Sequence, residues 1–316
     1  MKLAFLFPGQ GAQKVGMGAD LARDFGSAQS TFAEADDALG LALSQLCFNG
    51  PEEELRLTVN TQPAILTTAV AAQRVFEANC GIAPELAAGH SLGEYAALVA
   101  AGALSFQDAV RAVRERGRLM QEACPPGQGA MAALVGLDLA AVEAICKEVS
   151  TENSLAVPAN LNTPEQIVIS GHADPVRRAL ALAQARGGRA SVELNVSAPF
   201  HSPLMLPARE GMGPVLDRVS FHALKFGVIA NATAQINRDG NAVRRLLLDQ
   251  VTAPVRWTES MRAMIDAGIT QAIELGPGRV LAGLMRRIDR NVKVHPAEDS
   301  ATVKATIVAF ISSAKG

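Results

Sequence analysis

The stretch LAAGHSLGEYAALVAAG, residues 86–102, decides how the chain is read. Leu86 to Gly89 is a short apolar run bounded by a glycine, which predicts a buried strand. Apolar residues then continue at helical length from about 92 to 101, and Gly102 is placed to close that helix. Between the two lies Gly89-His90-Ser91-Leu92-Gly93, a G-x-S-x-G sequence. In a nucleophile elbow the glycines permit a sharp strand-to-helix turn from which the serine projects. The amide of Leu92, beside the helix N-terminus, is then placed to donate to a developing oxyanion.

Reading outward, Ser105 and Asp108 form a capping-box pattern for a helix over 106–122. Upstream, KLAFLF at 2–7 reads as a buried strand stopped by Pro8-Gly9. Downstream, strand-like Met131 to Leu137 is followed by a helix over 139–149 with Asp138 as its cap. Leu155 to Leu161 and Gln166 to Ser170 read as strands. A helix then runs to about Arg186 with Pro175 at its first position, and Ala190 to Val196 reads as a last strand. The order β-α-β-β-α-β is the ferredoxin-like arrangement. It predicts a small inserted domain over 125–196, between the breaker stretches CPPGQG and VSAPFHSP. Residues 1–124 and 197–316 are left as one discontinuous core of alternating strands and helices. The fold class is therefore α/β.

The 316 residues are 49% hydrophobic and 19% charged, which supports a large core and excludes a mainly disordered chain. With 29 Lys and Arg against 31 Asp and Glu, the net charge of -2 argues against a dedicated nucleic-acid binder. No apolar run is long enough to span a membrane. The N-terminal run stops at Pro8, too soon for a secretory signal. Cys47, Cys80, Cys124 and Cys146 are scattered without metal or disulfide spacing, as expected of structural thiols in a reducing cytoplasm. Neither a metal site nor a redox cofactor is expected.

A serine hydroxyl needs a base, and there are five histidines. His201 lies in the breaker-rich loop Ala198-Pro199-Phe200-His201-Ser202-Pro203, where the chain returns from the small domain and where clefts form. His90 reads as packing, and His172, His222 and His295 as structural or exposed. The loop Phe7 to Gln13 has glycines for close backbone approach but matches neither a dinucleotide nor a phosphate-loop pattern. On the 106–122 helix, at about 100° per residue, Val110, Val113, Gly117 and Met120 form the apolar stripe. Arg111, Arg114, Glu115 and Arg118 form a solvated face, whereas Arg116 falls between Ala112 and Ala109. A guanidinium there needs an anionic partner, which is either a protein carboxylate or a ligand.

In one order the chain carries FPGQGAQ (7–13), GHSLGEYAAL (89–98), RERGRLMQ (114–121), NLNTPEQIVISG (160–171), APFHSP (198–203), DQVTAPVRW (249–257) and ELGPG (274–278). With these motifs it resembles the malonyl-CoA:acyl carrier protein transacylases, from about residue 3 to residue 290. The resemblance implies an α/β-hydrolase-like core with an inserted ferredoxin-like subdomain. It implies Ser91 as nucleophile, His201 as general base and acid, and the amides of Gln10 and Leu92 as oxyanion donors. Gln250 would orient His201 through its backbone carbonyl, and Arg116 would hold the malonyl carboxylate. Asn160 and Asn162 match a loop facing the cleft, Met120 a pocket residue, and Phe200 a position whose identity goes with malonyl rather than methylmalonyl. Arg189, and with it Arg286 and Arg287, would meet an acidic acyl carrier protein. Ala12 departs from the serine common in this motif. The resemblance implies an enzyme that moves malonyl from coenzyme A to carrier protein for fatty acid synthesis, and a monomer is expected. A free-standing loader of a polyketide line, a serine esterase, and a catalytically silent carrier-binding module remain alternatives.

Overall fold

In the computed structural model, which describes residues 2–196 and 198–314, every residue of Leu3–Phe7 (β1) is buried. A strand covered on both faces reads as a continuous apolar run, and β1 shows why. Leu3, Phe5 and Phe7 enter one core with Phe76 and Phe310, while Ala4 and Leu6 enter another with Trp257 and Met261. Beside β1 run Leu86–Gly89 (β2) on one side and Gln271–Leu275 (β9) on the other, both parallel to it. Lys293–Ala297 (β10) and Gly227–Ile229 (β7) extend the parallel sheet, and Ile236–Asn237 (β8) adds an antiparallel edge. The order is β10-β9-β1-β2-β7-β8. Phe7 pairs with Gly89, so the loops that follow β1 and β2 leave the sheet side by side at its C-terminal edge. Ligands of open α/β sheets bind at that edge.

A second sheet joins Gly129–Val135 (β3), Ala156–Thr163 (β4), Gln166–His172 (β5) and Val192–Glu193 (β6) in the antiparallel order β4-β5-β3-β6. The helices Leu139–Val149 and Ala173–Ala185 pack on it around Ile145, Val176 and Ile169. Val255 bonds in both directions to this layer, its N–H donating to Ala159 O at 2.8 Å and its carbonyl accepting from Leu161 at 2.9 Å. The segment after the first sheet's central strands is thus stitched to β4.

Several local expectations shift. The helix expected to open on Pro175 begins at Ala173, so the proline is its third residue. The first four N–H groups of a helix have no internal acceptor, so a proline there sacrifices no hydrogen bond. The expected strand 190–196 pairs only at Val192 and Glu193. It is a sheet edge, and beyond Leu194 the chain turns away over the cavity described below. Strand β3 ends at Val135 rather than Leu137 because Gly136 takes φ 91°, a turn conformation. At the 106–122 helix, Ser105 Oγ accepts from the Asp108 N–H at 3.1 Å. The return contact of the capping box is made by the hydroxyl itself, which donates to Asp108 Oδ2 at 2.8 Å. Ser197, inside the breaker stretch 196–203, lies outside the described residues, as do Met1, Lys315 and Gly316.

Candidate active site

The turn between β2 and the helix Gly93–Ala100 has no room for side chains at its two glycines. A Cβ on Gly89 would lie 1.9 Å from the Gly93 backbone, and one on Gly93 would lie 2.2 Å from Phe7 O. The crossing forces Ser91 to φ 52°, a strained value for a residue with a side chain. Asn231 clamps the turn: its Oδ1 accepts from the Ser91 N–H at 2.7 Å, and its Nδ2 donates to Gly89 O at 2.7 Å.

His201 stands across from the serine, its Nε2 2.8 Å from Ser91 Oγ. Its Nδ1 faces two carbonyls, Gln250 O at 3.0 Å and Ala253 O at 3.2 Å. Carbonyls only accept, so the proton sits on Nδ1 and the Nε2 lone pair is left for the serine hydroxyl. Among the described residues no carboxylate takes the third position that a hydrolase triad would use. Burial and, after it, the Arg116 charge push His201 down to about 3, so the imidazole is a neutral base at ordinary pH.

Arg116 is fully buried, and none of the described carboxylates lies within ion-pair distance of it. Its Nη1 donates to Gln62 Oε1 at 2.7 Å, and its Nη2 donates to Ser91 Oγ and to Gln250 Oε1, each at 3.0 Å. Nε has no partner among the described residues. Of the two partners the helix position allowed, a protein carboxylate is therefore absent among the described residues. The guanidinium opens instead on a cavity of about 130 Å³ that Ser91 and His201 share.

Gln10, Leu92, Met120, Asn160 and Phe200 also line this cavity. Gln10 and Leu92 stand on the neighbouring loops after β1 and β2, and among the described residues neither backbone N–H is taken by a hydrogen bond. Asn160 and Asn162 lie on strand β4 rather than in a loop. Asn162 does not line the cavity; its Oδ1 meets His90 Nε2 at 2.8 Å, and His90 forms part of the wall. His90 also packs against Trp257. Arg189, Arg286 and Arg287 stay outside the cavity and are exposed. Arg286, Arg287 and Arg290 border a separate surface cleft with Thr163 and Glu165. Arg189 approaches the same end of β3, its backbone N 3.5 Å from where a Cβ on Gly136 would lie. Among the described residues no three His, Cys, Asp or Glu side chains are grouped as a metal site.

Three contributors go beyond the residues singled out above. Gln62 is buried on the helix Thr58–Cys80, and Asn231 and Glu94 are buried behind the serine. Glu94 carries a readable signal, as the lone charge in the apolar stretch 86–102. Asn231 carries none, because its partners are about 140 residues away.

A family model described as "Acyl transferase domain" matches residues 4–306. The malonyl CoA-acyl carrier protein transacylase of Bacillus subtilis (strain 168) is 47% identical over 306 residues, covering 97% of this chain and 96% of its own. Among solved structures, the malonyl CoA-acyl carrier protein transacylase of Coxiella burnetii superposes with a TM-score of 0.95 at 42% identity, over 98% of both chains. A malonyl-transacylase in complex with a type II PKS acyl-carrier protein superposes with a TM-score of 0.95 at 43% identity, over 98% of this chain and 100% of that one.

Proposed function

The chain belongs to the malonyl CoA-acyl carrier protein transacylase family, and we propose that it transfers malonyl through an ester on Ser91. The observation that carries this reading is Ser91 Oγ held between the His201 base at 2.8 Å and the Arg116 guanidinium at 3.0 Å. In the first half-reaction Ser91 Oγ attacks the thioester carbonyl of malonyl-CoA while its proton passes to His201 Nε2. The N–H groups of Gln10 and Leu92 receive the oxyanion. The intermediate collapses, and the coenzyme A sulfur leaves with the proton from His201. In the second half-reaction the phosphopantetheine thiol of acyl carrier protein gives its proton to His201 and attacks the ester. Collapse returns Ser91 Oγ, which recovers the proton. Gln250 O and Ala253 O stabilise the imidazolium formed in each half. Every group in this scheme belongs to the chain or to a substrate, and no cofactor is assigned.

Arg116 takes the malonyl carboxylate, and Met120, Asn160 and Phe200 shape the acyl pocket, with Asn162 acting through His90. Arg189, Arg286 and Arg287 form the face toward an acidic carrier. Residues 1–124 and 197–316 are the catalytic core and 125–196 the insertion, in a monomer working in the cytoplasm on fatty acid synthesis. The neighbour in complex with a type II PKS carrier favours one further reading, the loading of a polyketide line.

The experiment is intact mass spectrometry after malonyl-CoA is added, then after carrier protein follows. Wild type gains one malonyl group and loses it to the carrier. Ser91→Ala gains none, and His201→Ala gains it roughly 10²- to 10⁴-fold more slowly. A malonyl adduct on Ser91→Ala would end this assignment.

A further inference from the structure

Glu94 lies behind the serine turn, fully buried, and takes no part in the steps above. Its Oε2 accepts from the Asn231 backbone N–H at 3.0 Å and from Gln250 Nε2 at 2.7 Å. Burial pushes its carboxyl up to about 7 against the pull of those two donors and of the Arg116 charge. Both donors converge on Oε2, so a proton carried on Oε1 leaves the acceptor in place.

The Gln250 side chain is used at both ends. Its Nε2 donates to Glu94 Oε2 and to Ser91 O at 3.0 Å, and its Oε1 accepts from Arg116 Nη2 at 3.0 Å. A terminal amide rotated by half a turn exchanges its oxygen and its NH2 group with little change of shape. The rotated form would set NH2 against the guanidinium, donor against donor, and C=O against Glu94, acceptor against acceptor. Glu94 penalises that form. Together with Ser91 O, which the rotated carbonyl would also oppose, it fixes which end of Gln250 meets Arg116, and the Gln250 oxygen decides where Nη2 points.

We propose that Glu94 is a positioning residue that acts through the Gln250 side chain to aim Arg116 at the acyl carboxylate. Preference for malonyl over acetyl then depends on an acid that never meets the substrate. The inference rests on the reading that Arg116 takes the malonyl carboxylate.

The test is kcat/KM for malonyl-CoA and acetyl-CoA in the full chain and its variants. Glu94→Met removes the acceptor, and the malonyl-to-acetyl ratio falls by about 10-fold or more, the scale of one charge-assisted hydrogen bond. Glu94→Gln keeps an oxygen where Oε2 stands and keeps the ratio close to wild type. Gln250→Met cuts the link at its other end but preserves the backbone carbonyl on His201, so its ratio falls as in Glu94→Met. That variant also decides the matter if Glu94→Met does not fold. The double variant loses no more than either single one, as expected for residues acting in series. An unchanged ratio in Gln250→Met overturns the proposal. So does an equal loss for both thioesters in folded Glu94→Met, or a Glu94→Gln ratio as low as that of Glu94→Met. Arg116→Ala separates the two levels. If its ratio also matches wild type, the reading of Arg116 fails; if only Arg116→Ala loses the ratio, the Glu94 link alone fails.

Discussion

Ser91 and His201 both occupy the left-handed region, at φ 52° and 56°, and each is held there by partners far along the chain. Such positions cost on the order of 1–3 kcal/mol each and persist only where surrounding contacts over-determine them. The environment that holds His201 also sets its pH response. Burial, Arg116 and His90 press the imidazole down to about 3 against the pull of two carbonyls. A base with a depressed value stays neutral above it, so Ser91 acylation should stay level as pH falls from about 8 to about 5. An ordinary imidazole would titrate near 6.5. Acylation rates measured with an acyl donor lacking a carboxylate would show it, and an inflection near 6.5 assigned to His201 counts against this environment. Arg116 could be singled out from helical angles alone, because a cation among alanines is a local anomaly. Glu94 offers the same anomaly, whereas Gln62 and Asn231 acquire meaning only once distant segments meet.

Among the elements, strands β1 and β2 and the helices 93–100, 106–122 and 139–149 follow closely from runs, caps and glycines in the sequence. Their signals are local. The two-residue β6 is not legible in this way, because its pairing depends on where the chain must leave to cover the cavity. The helix Val280–Ile288 shows a cap supplied from another element. Glu274, at the end of β9, accepts from the Leu281 N–H at 2.9 Å and the Ala282 N–H at 2.8 Å. Burial outweighs those donors and pushes its carboxyl up to about 7. A raised value stabilises the fold fully below the unfolded value, about 4.3, and that contribution is lost as pH rises through 7. Glu274→Gln does not titrate. Wild type should therefore lose thermal stability relative to Glu274→Gln between about pH 5 and pH 8, measured by parallel melts. A constant difference in Tm across that window would contradict the assignment.

Across the whole molecule the net charge is only -2, so the attraction for an acidic carrier proposed above has to come from a local patch. Arg189 and Arg287 are exposed near the same end of the second sheet, and Arg287 Nη1 is tied to Gln166 Oε1 at 3.2 Å. Reversing both to Glu should slow transfer to carrier protein, most strongly at low salt where charges are least screened. Acylation by malonyl-CoA should change far less, and an equal loss in both half-reactions would refute a carrier-specific face. The pairing of Ser91 with His201 is expected from family motifs rather than from spacing, since no local pattern spans such a separation. The 2.8 Å contact between nucleophile and base joins residues 110 apart in sequence, and the entire second sheet lies in the chain between them. Turnover is therefore a proximity gauge for the undocking of that layer. An unfolding curve followed by activity reports how firmly the layer is seated.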